Sequence, residues 1–334
     1  MARERNARTG RRPRGVVAAT AFFCALFLVP HLLDDAWVAV FTLVLFFAFV
    51  GQAWNLMMGH VGLLSLGHAL FLGIGGYATA LLLGDYGISP WIGIPAGAVV
   101  AAVVGVGIAW LGFRFSVRGV YFALLTIAFA EFFRILFSNW PLIGGTGGYF
   151  LRVVPEDNVP LLSLRGGADH FYYVFFVLFV AGVALSARLV RGRIGMFWSA
   201  IREDEEAARA LGVKSFRLKV LAVAVSAAMT ACGGGAFALM NGSLFPNTLM
   251  GMQMSIQIIL APIIGGLGTL FGPFVGAVFV VLVLEFSRDL GQTAGVYGLS
   301  TLIYGLTVLG VILYMPEGIW PHLVRLARPL RRDR

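Results

Sequence analysis

The chain has 334 residues, 59% hydrophobic and 12% charged, with a formal net charge of +9 and a mean hydropathy of +0.87. Soluble domains carry about 25% charged residues, so this balance excludes a sizeable soluble domain and predicts an all-α integral membrane protein. Two cysteines and five histidines without ligand spacing exclude a disulfide framework and a metal site, and no cofactor is expected.

The fold expected is a polytopic helical bundle of about 8–10 transmembrane helices, because the apolar runs are too long and continuous for barrel strands. Ten crossings are predicted in chain order, at 16–33, 36–57, 61–83, 90–112, 119–138, 171–190, 218–241, 254–270, 273–287 and 297–315. A basic tail, 1–15, precedes them, and a second basic tail, 321–334, follows. The apolar run after Gly15 reads as an uncleaved first span, since no small-x-small cleavage site follows it.

The third predicted span lies in a segment, Gly59–Gly84, with seven glycines plus His60, Ser65 and His68. The eighth runs into "APIIGGLGTLFGPFVGA" (Ala261–Ala277), with Gly265, Gly266, Gly268, Gly272, Gly276 and two prolines. Glycine and proline at this density weaken or break helices. In a bilayer such breaks survive where the freed backbone lines a cavity or packs in protein. Two readings stand side by side. One is a substrate pathway lined by Gly62, Ser65, Gly67, His68, Gly73, Gly265, Gly266 and Gly268, as at the discontinuous helices of transporters. The other is close helix packing through small residues. An eight-crossing arrangement, with 61–83 and 254–270 dipping in and out, is the alternative topology.

Glu131 and Arg134 lie three residues apart in the 119–138 span, and Glu285 and Arg288 repeat that spacing. Charges in lipid cost at least about 2.5 kcal/mol, so a local ion pair is expected. A proton or ion relay is the alternative, and it would make the chain an ion-coupled secondary transporter.

Between the sixth and seventh spans stands "REDEEAARALGVKSFRLK" (Arg202–Lys219), with both lysines of the chain. A short helix is expected over about Arg202–Leu211. Its first turns are acidic, as a helix N-terminus favours, and Glu205 and Arg209 sit at i, i+4. Gly212 stands where a left-handed stop residue belongs. The compact edge of Ala207, Ala208, Ala210 and Leu211 suits insertion into another protein's groove. An ordinary solvated loop is the bland alternative.

Twenty-one of the 25 basic residues fall before Gly15, in 113–118, in 188–219 or after Trp320. Ten crossings put these four segments on one side, which the positive-inside rule makes the cytoplasm. The basic excess therefore marks span boundaries and membrane lipid, with no nucleic-acid partner expected.

"EAARALG" (Glu206–Gly212) fits E-A-A-x-x-x-G, the cytoplasmic-loop signature of ABC importer permeases, although "VKSFRLKVLAV" replaces the usual downstream I-x-L-P. "GLLSLGHALFLGIGGYATALL", "RGVYFALLTIAFAEFFRIL", "GGLGTLFGPFVGA" and "LIYGLTVLGVILYMPEGI" occur around it. In this order, over about residues 50–320, they closely resemble the branched-chain amino-acid permease family (LivM/LivH type), most like its LivM-type subunits. The resemblance implies a permease transmembrane domain over 16–320 that works by alternating access. It makes 191–217 the coupling-helix loop, with Glu205, Glu206, Ala207, Ala208, Arg209, Leu211 and Gly212 docking on an ATPase. The partners implied are a second permease subunit of different sequence, two cytoplasmic ABC ATPase subunits and a periplasmic or lipid-anchored substrate-binding protein. The place implied is the bacterial cytoplasmic membrane, with both termini inside. The sequence contains no G-x-x-x-x-G-K-[ST] loop, so the chain is expected to be no enzyme, with ATP hydrolysis on a partner. The substrate implied is a branched-chain or related hydrophobic amino acid. Urea, a short amide or another amino acid is the alternative, because related permeases share these motifs. Pro262 and the stretch 239–257 depart from the family pattern and leave that choice open.

Overall fold

The computed structural model describes residues 20–151, 167–294 and 298–326. The 1–15 tail, the first residues of the 16–33 span, residues 152–166, residues 295–297 with the start of the 297–315 span, and the end of the 321–334 tail lie outside these residues.

The described chain is helical almost throughout. Residues 20–27 (α1) and Val29–Leu32 (α2) lead into α3 (Asp35–Val61), α4 (His68–Gly84), α5 (Pro90–Arg114) and α6 (Val120–Ser138). Then come α7 (Ala168–Arg191), α8 (Arg193–Glu203), α9 (Glu205–Ala210) and α10 (Ser215–Asn241). The chain closes with α11 (Pro246–Leu249), α12 (Met252–Gly265), α13 (Gly272–Ala294), α14 (Leu299–Tyr314) and α15 (Ile319–Leu326). A two-residue ladder pairs β1 (Tyr149–Phe150) antiparallel with β2 (Ser243–Leu244), Tyr149 opposite Leu244.

Among the described residues, six stretches are long and apolar enough to cross a bilayer: α3, α5, α6, Asp169–Arg191 of α7, α10, and Pro246–Gly265 across α11 and α12. The chain is thus an all-α, multi-pass membrane protein. At α3 and α10 the apolar surface runs around the whole helix, as suits elements surrounded by other helices. α3 packs on α7, α10, α12 and α13, while α10 also holds α4 and α5. α5 and α6 instead turn Trp91, Val99, Val103, Trp110, Tyr121 and Phe132 outward.

Small residues set the inner spacing. A Cβ at Gly75 would overlap the Ala231 backbone of α10, and one at Gly234 would overlap the Leu72 backbone of α4. Gly97 of α5 comes to within 3.1 Å of Gly75 on the same measure. Without a hydrophobic force between helices in lipid, such backbone approach is what holds a bundle together.

Both glycine-rich segments are broken. α3 runs four residues past the end expected for its span, to Val61, and Gly62 closes it with φ +79°. The Gly62 and Leu63 amides bond the Met58 and Met57 carbonyls at 3.1 and 3.3 Å, which ends the helix in a left-handed cap. The helix resumes at His68, so the span expected at 61–83 is not one continuous helix. The span expected at 254–270 ends at Gly265, because Gly266 takes φ +119° and Gly268 φ +73°. L-residues reach such angles only with strain, which is why the breaks fall on these glycines.

Candidate functional site

The first break is sealed by polar groups from four helices. The Trp54 indole N–H of α3 donates to the Ser65 carbonyl at 2.8 Å. The Thr126 hydroxyl of α6 accepts from the Leu66 amide at 3.1 Å. Ser255 of α12 accepts from the Ala69 amide, also at 3.1 Å. His68 is fully buried and bridges Ser65 through Nδ1 (3.1 Å) and Ser226 of α10 through Nε2 (2.9 Å). Ser226 donates its one proton to the Ala53 carbonyl at 2.7 Å, so its oxygen accepts from His68. That assigns the His68 proton to Nε2 and leaves Nδ1 to accept from Ser65.

Every polar side chain of this relay is buried and has a partner. Gly67 lies against the Thr126 carbonyl, and Gly73 against the Met250 side chain. In this conformation Ser65, Gly67, His68 and Gly73 act as packing and bonding residues of the bundle. Ser226→Ala strands the Nε2 proton of His68 inside the bundle and removes the side-chain bond to the Ala53 carbonyl. A loss of about 1–3 kcal/mol is expected. It is read as a lower melting temperature of the detergent-solubilised chain, while Ser226→Thr keeps most of the stability.

The second break leans on the end of α3. Asn55 donates to the Thr269 carbonyl at 2.9 Å and accepts from the Gly268 amide at 2.8 Å. Thr269 ties the break together, donating to the Gly266 carbonyl at 2.7 Å and accepting from the Gly272 amide at 3.0 Å. Gly59 has to be glycine here, since its Cβ would stand 2.6 Å from the Gly268 nitrogen. Gly265 packs on the Gly272 carbonyl, and Gly266 on Pro321 and Gly318.

The charged island is two helices, where one was expected over about Arg202–Leu211. Asp204 adopts an extended conformation and caps α9, its Oδ1 accepting from the Glu206 and Ala207 amides at 2.8 and 3.0 Å. A carboxylate in this role restarts the helix, so Arg202 and Glu203 belong to the end of α8. Gly212 takes φ +85° and ends the turn.

Six residues of helix are too few to persist alone in water, so α9 depends on its anchors. Ala208 is buried with Leu56, Val61, Trp198, Ile201 and Ala222. Glu205 pairs with Lys219 of α10 at 2.8 Å and with Arg209 at 2.5 Å. Lys219 is buried and lies over the Phe113 ring, 4.3 Å from its centroid. Arg209 also donates to Ser215 at 2.7 Å, and Glu206 pairs with Arg118 at 3.1 Å. Burial alone would raise the Glu205 pKa; the Lys219 hydrogen bond and the charges of Lys219 and Arg209 outweigh it and hold the carboxyl below its ordinary value.

The expected apolar edge of this helix is therefore divided. Ala208 faces the chain's own core, whereas Glu206, Ala207, Ala210, Leu211 and Gly212 are exposed, Leu211 to 87%. Glu131 and Arg134 form an ion pair on the outer face of α6, where Arg134 also donates to Asn247. Arg288 and Glu285 approach to 3.5 Å on α13.

The residues not foreseen from the sequence are Trp54, Asn55, Thr126, Arg202, Lys219, Ser226 and Ser255. For Trp54, Asn55, Thr126, Ser226 and Ser255 an isolated polar side chain in an apolar helix was the local signal, since such groups bond across helices in lipid; Arg202 and Lys219 stood in the charged island, which did not mark their inward contacts.

Residues 36–315 match the family described as branched-chain amino acid transport system / permease component. The chain is 30% identical over 316 residues to the high-affinity branched-chain amino acid transport system permease protein LivM of Escherichia coli K12, covering 87% of this chain and 72% of that one. It is 23% identical to the probable branched-chain amino acid transport permease protein LivM of Methanocaldococcus jannaschii, over 84% of this chain and 88% of that one. To the LivH permease protein of Escherichia coli K12 it is 24% identical, over 82% of this chain and 90% of that one. No solved structure matches it.

Proposed function

The chain belongs to the branched-chain amino acid transport permease family, LivM-like in sequence, and from that premise we propose that it is the permease subunit of an ATP-driven importer of branched-chain or related hydrophobic amino acids. A LivH-type second permease completes the passage, two cytoplasmic ABC ATPases drive it, and a substrate-binding protein delivers the amino acid. The chain sits in the bacterial cytoplasmic membrane with both termini inside, and the bundle alternates its access as the ATPases close and open. The glycine-rich breaks at 62–67 and 266–271 are the points about which its short helices reorient.

The observation that carries this reading is the build of α9. A six-residue helix is held by a buried lysine, two arginines and an inward alanine, yet presents Glu206, Ala207, Ala210 and Leu211 outward. A rigid mount beneath an exposed apolar knob suits a contact that receives mechanical work. An ordinary surface loop gains little from exposed ion pairs and has no need of a buried one.

Leu211→Asp tests it. The side chain is almost wholly exposed, so the melting temperature of the isolated chain should not change. Docking should weaken by about thirtyfold, as for loss of an apolar anchor worth about 2 kcal/mol. The measurements are co-purification of the ATPases and ATP-dependent leucine uptake in proteoliposomes holding the complete transporter. Uptake that needs an ion gradient and ignores ATP would overturn the assignment.

A further inference from the structure

Arg202 is the last arginine of α8, two residues before the cap of α9. Its Nη1 donates to the Gly59 carbonyl at the end of α3. Its stem lies across the first break: a Cβ placed on Gly62 would stand 3.3 Å from Arg202 Cγ and 3.8 Å from its Cα and Cβ. Its head lies beside the second break, where a Cβ on Gly268 would stand 3.2 Å from Arg202 Nη1 and 2.9 Å from the Gly59 oxygen. The Gly268 amide is in turn bonded to Asn55, one turn back on α3. One side chain thus touches the start of one broken segment, the middle of the other and the helix end between them.

The surroundings make this contact significant. A cleft lined by Gly62, Leu64, Arg118, Arg202, Glu205 and Lys219 lies between the first break and α9. Beside the cleft, Leu63 belongs to the same apolar cluster as Ala208 of α9, so packed side chains also join α9 to this break. Behind it, α8 is fixed to α3 through Trp198 and Ile201 packed on Leu56 and Val61. Asp204 joins α8 to α9 in an extended conformation two residues beyond Arg202, so the two helices meet next to the side chain that contacts both breaks.

We propose that Arg202 is a positioning residue of the transport cycle, a strut that passes the movement of α8 and α9 to both glycine-rich breaks at once. The inference rests on the importer reading above. The plainer role of such an arginine is to satisfy an orphan carbonyl at a helix end, a contribution to stability alone. The two roles differ in what they do to energy coupling. A capping residue changes how much folded protein there is. A strut changes how much substrate moves for each ATP hydrolysed.

The experiment uses the complete transporter, with its ATPases, second permease and binding protein, in proteoliposomes. Leucine uptake and ATP hydrolysis are measured together for the wild type, Arg202→Met and Arg202→Lys. Arg202→Met keeps an apolar stem and removes the donors. The expected result is retained ATPase binding and hydrolysis, with leucine moved per ATP lower by about tenfold or more, within the usual range of coupling between sites. Arg202→Lys should recover part of the ratio, because an ammonium still reaches one carbonyl. If Arg202→Met fails to accumulate, Arg202→Gln, which is polar but too short to bridge, carries the same test. An unchanged ratio overturns the inference, and so does loss of the ATPases from the variant complex, which would make Arg202 a support for docking. Failure of the wild type to couple uptake to ATP would instead sink the importer reading.

Discussion

Gly265→Ala is expected to unfasten α12 from α13. A Cβ at this position would overlap the Gly272 carbonyl oxygen and stand 2.9 Å from the Gly276 amide nitrogen. Gly276 has the same relation to the Ala261 carbonyl, so the two helices touch backbone to backbone. Neither backbone can yield as a flexible side chain would, and the helices must separate along their contact. The cost should be about 3 kcal/mol, the upper end of what overpacking a closed core costs. In a chain of this size that corresponds to a fall of roughly 4–5 °C in melting temperature, or to failure to accumulate in the membrane. Size-exclusion chromatography of the heated, detergent-solubilised protein reads it directly. Gly107→Ala is the control: it is also a helical glycine, but its Cβ would meet nothing within 4 Å. There the gain in helix propensity, about 0.5–1 kcal/mol, should raise stability slightly. Equal melting of Gly265→Ala and wild type would show that α12 and α13 do not meet in this way.

The second large effect is expected at Lys219→Met. The ammonium is almost fully buried between the Glu205 carboxylate and the Phe113 ring. Its removal leaves Glu205 largely enclosed, with Arg209 and the Ser215 hydroxyl as its remaining partners. Breaking a buried pair by deleting one member costs about 3–5 kcal/mol, and the part-exposed Arg209 should offset some of that. Glu205→Gln combined with Lys219→Met should recover much of the loss, because the stranded charge is gone. A double-mutant cycle on thermal stability gives the coupling, expected at about 1–3 kcal/mol.

The pair also has a pH signature. The folded-state pKa of Glu205 is depressed, so its stabilisation is complete above the ordinary carboxylate pKa of 4.5 and is lost as pH falls through the lower folded value. Acidification below that point should narrow the difference in melting temperature between wild type and Lys219→Met. A difference that stayed constant with pH would place the lysine's contribution in packing alone. Since the pair anchors α9, the variant should also lose ATP-coupled uptake before it loses membrane insertion.

Much of this architecture is written in local composition. A chain with so few charges and such long apolar runs has to satisfy its backbone within helices once it lies in lipid. Glycine density marked the two segments where a helix can break, but the expected spans 61–83 and 254–270 ran across Gly62, Gly266 and Gly268, and Gly73, Gly75 and Gly76 lie inside an unbroken helix. Gly212 ended its helix where the sequence placed the stop.

Partnership across the chain could not be read in that way. His68 meets Ser226, 158 residues away, and Asn55 meets Thr269, 214 residues away. Arg202 reaches Gly59 across 143 residues. Such bonds depend on how the helices assemble, and residue spacing along one helix holds no record of that. The same is true of Ala208, which differs from Ala207 only in which neighbour its face of the helix meets. Asp204 decided the break between α8 and α9 by capping amides, a choice open to any aspartate and taken when the flanking helices lie at the right angle. Hydropathy and glycine act within a few residues and are legible in the chain; burial and bonding in a membrane bundle act between distant segments and exist only once those segments have packed.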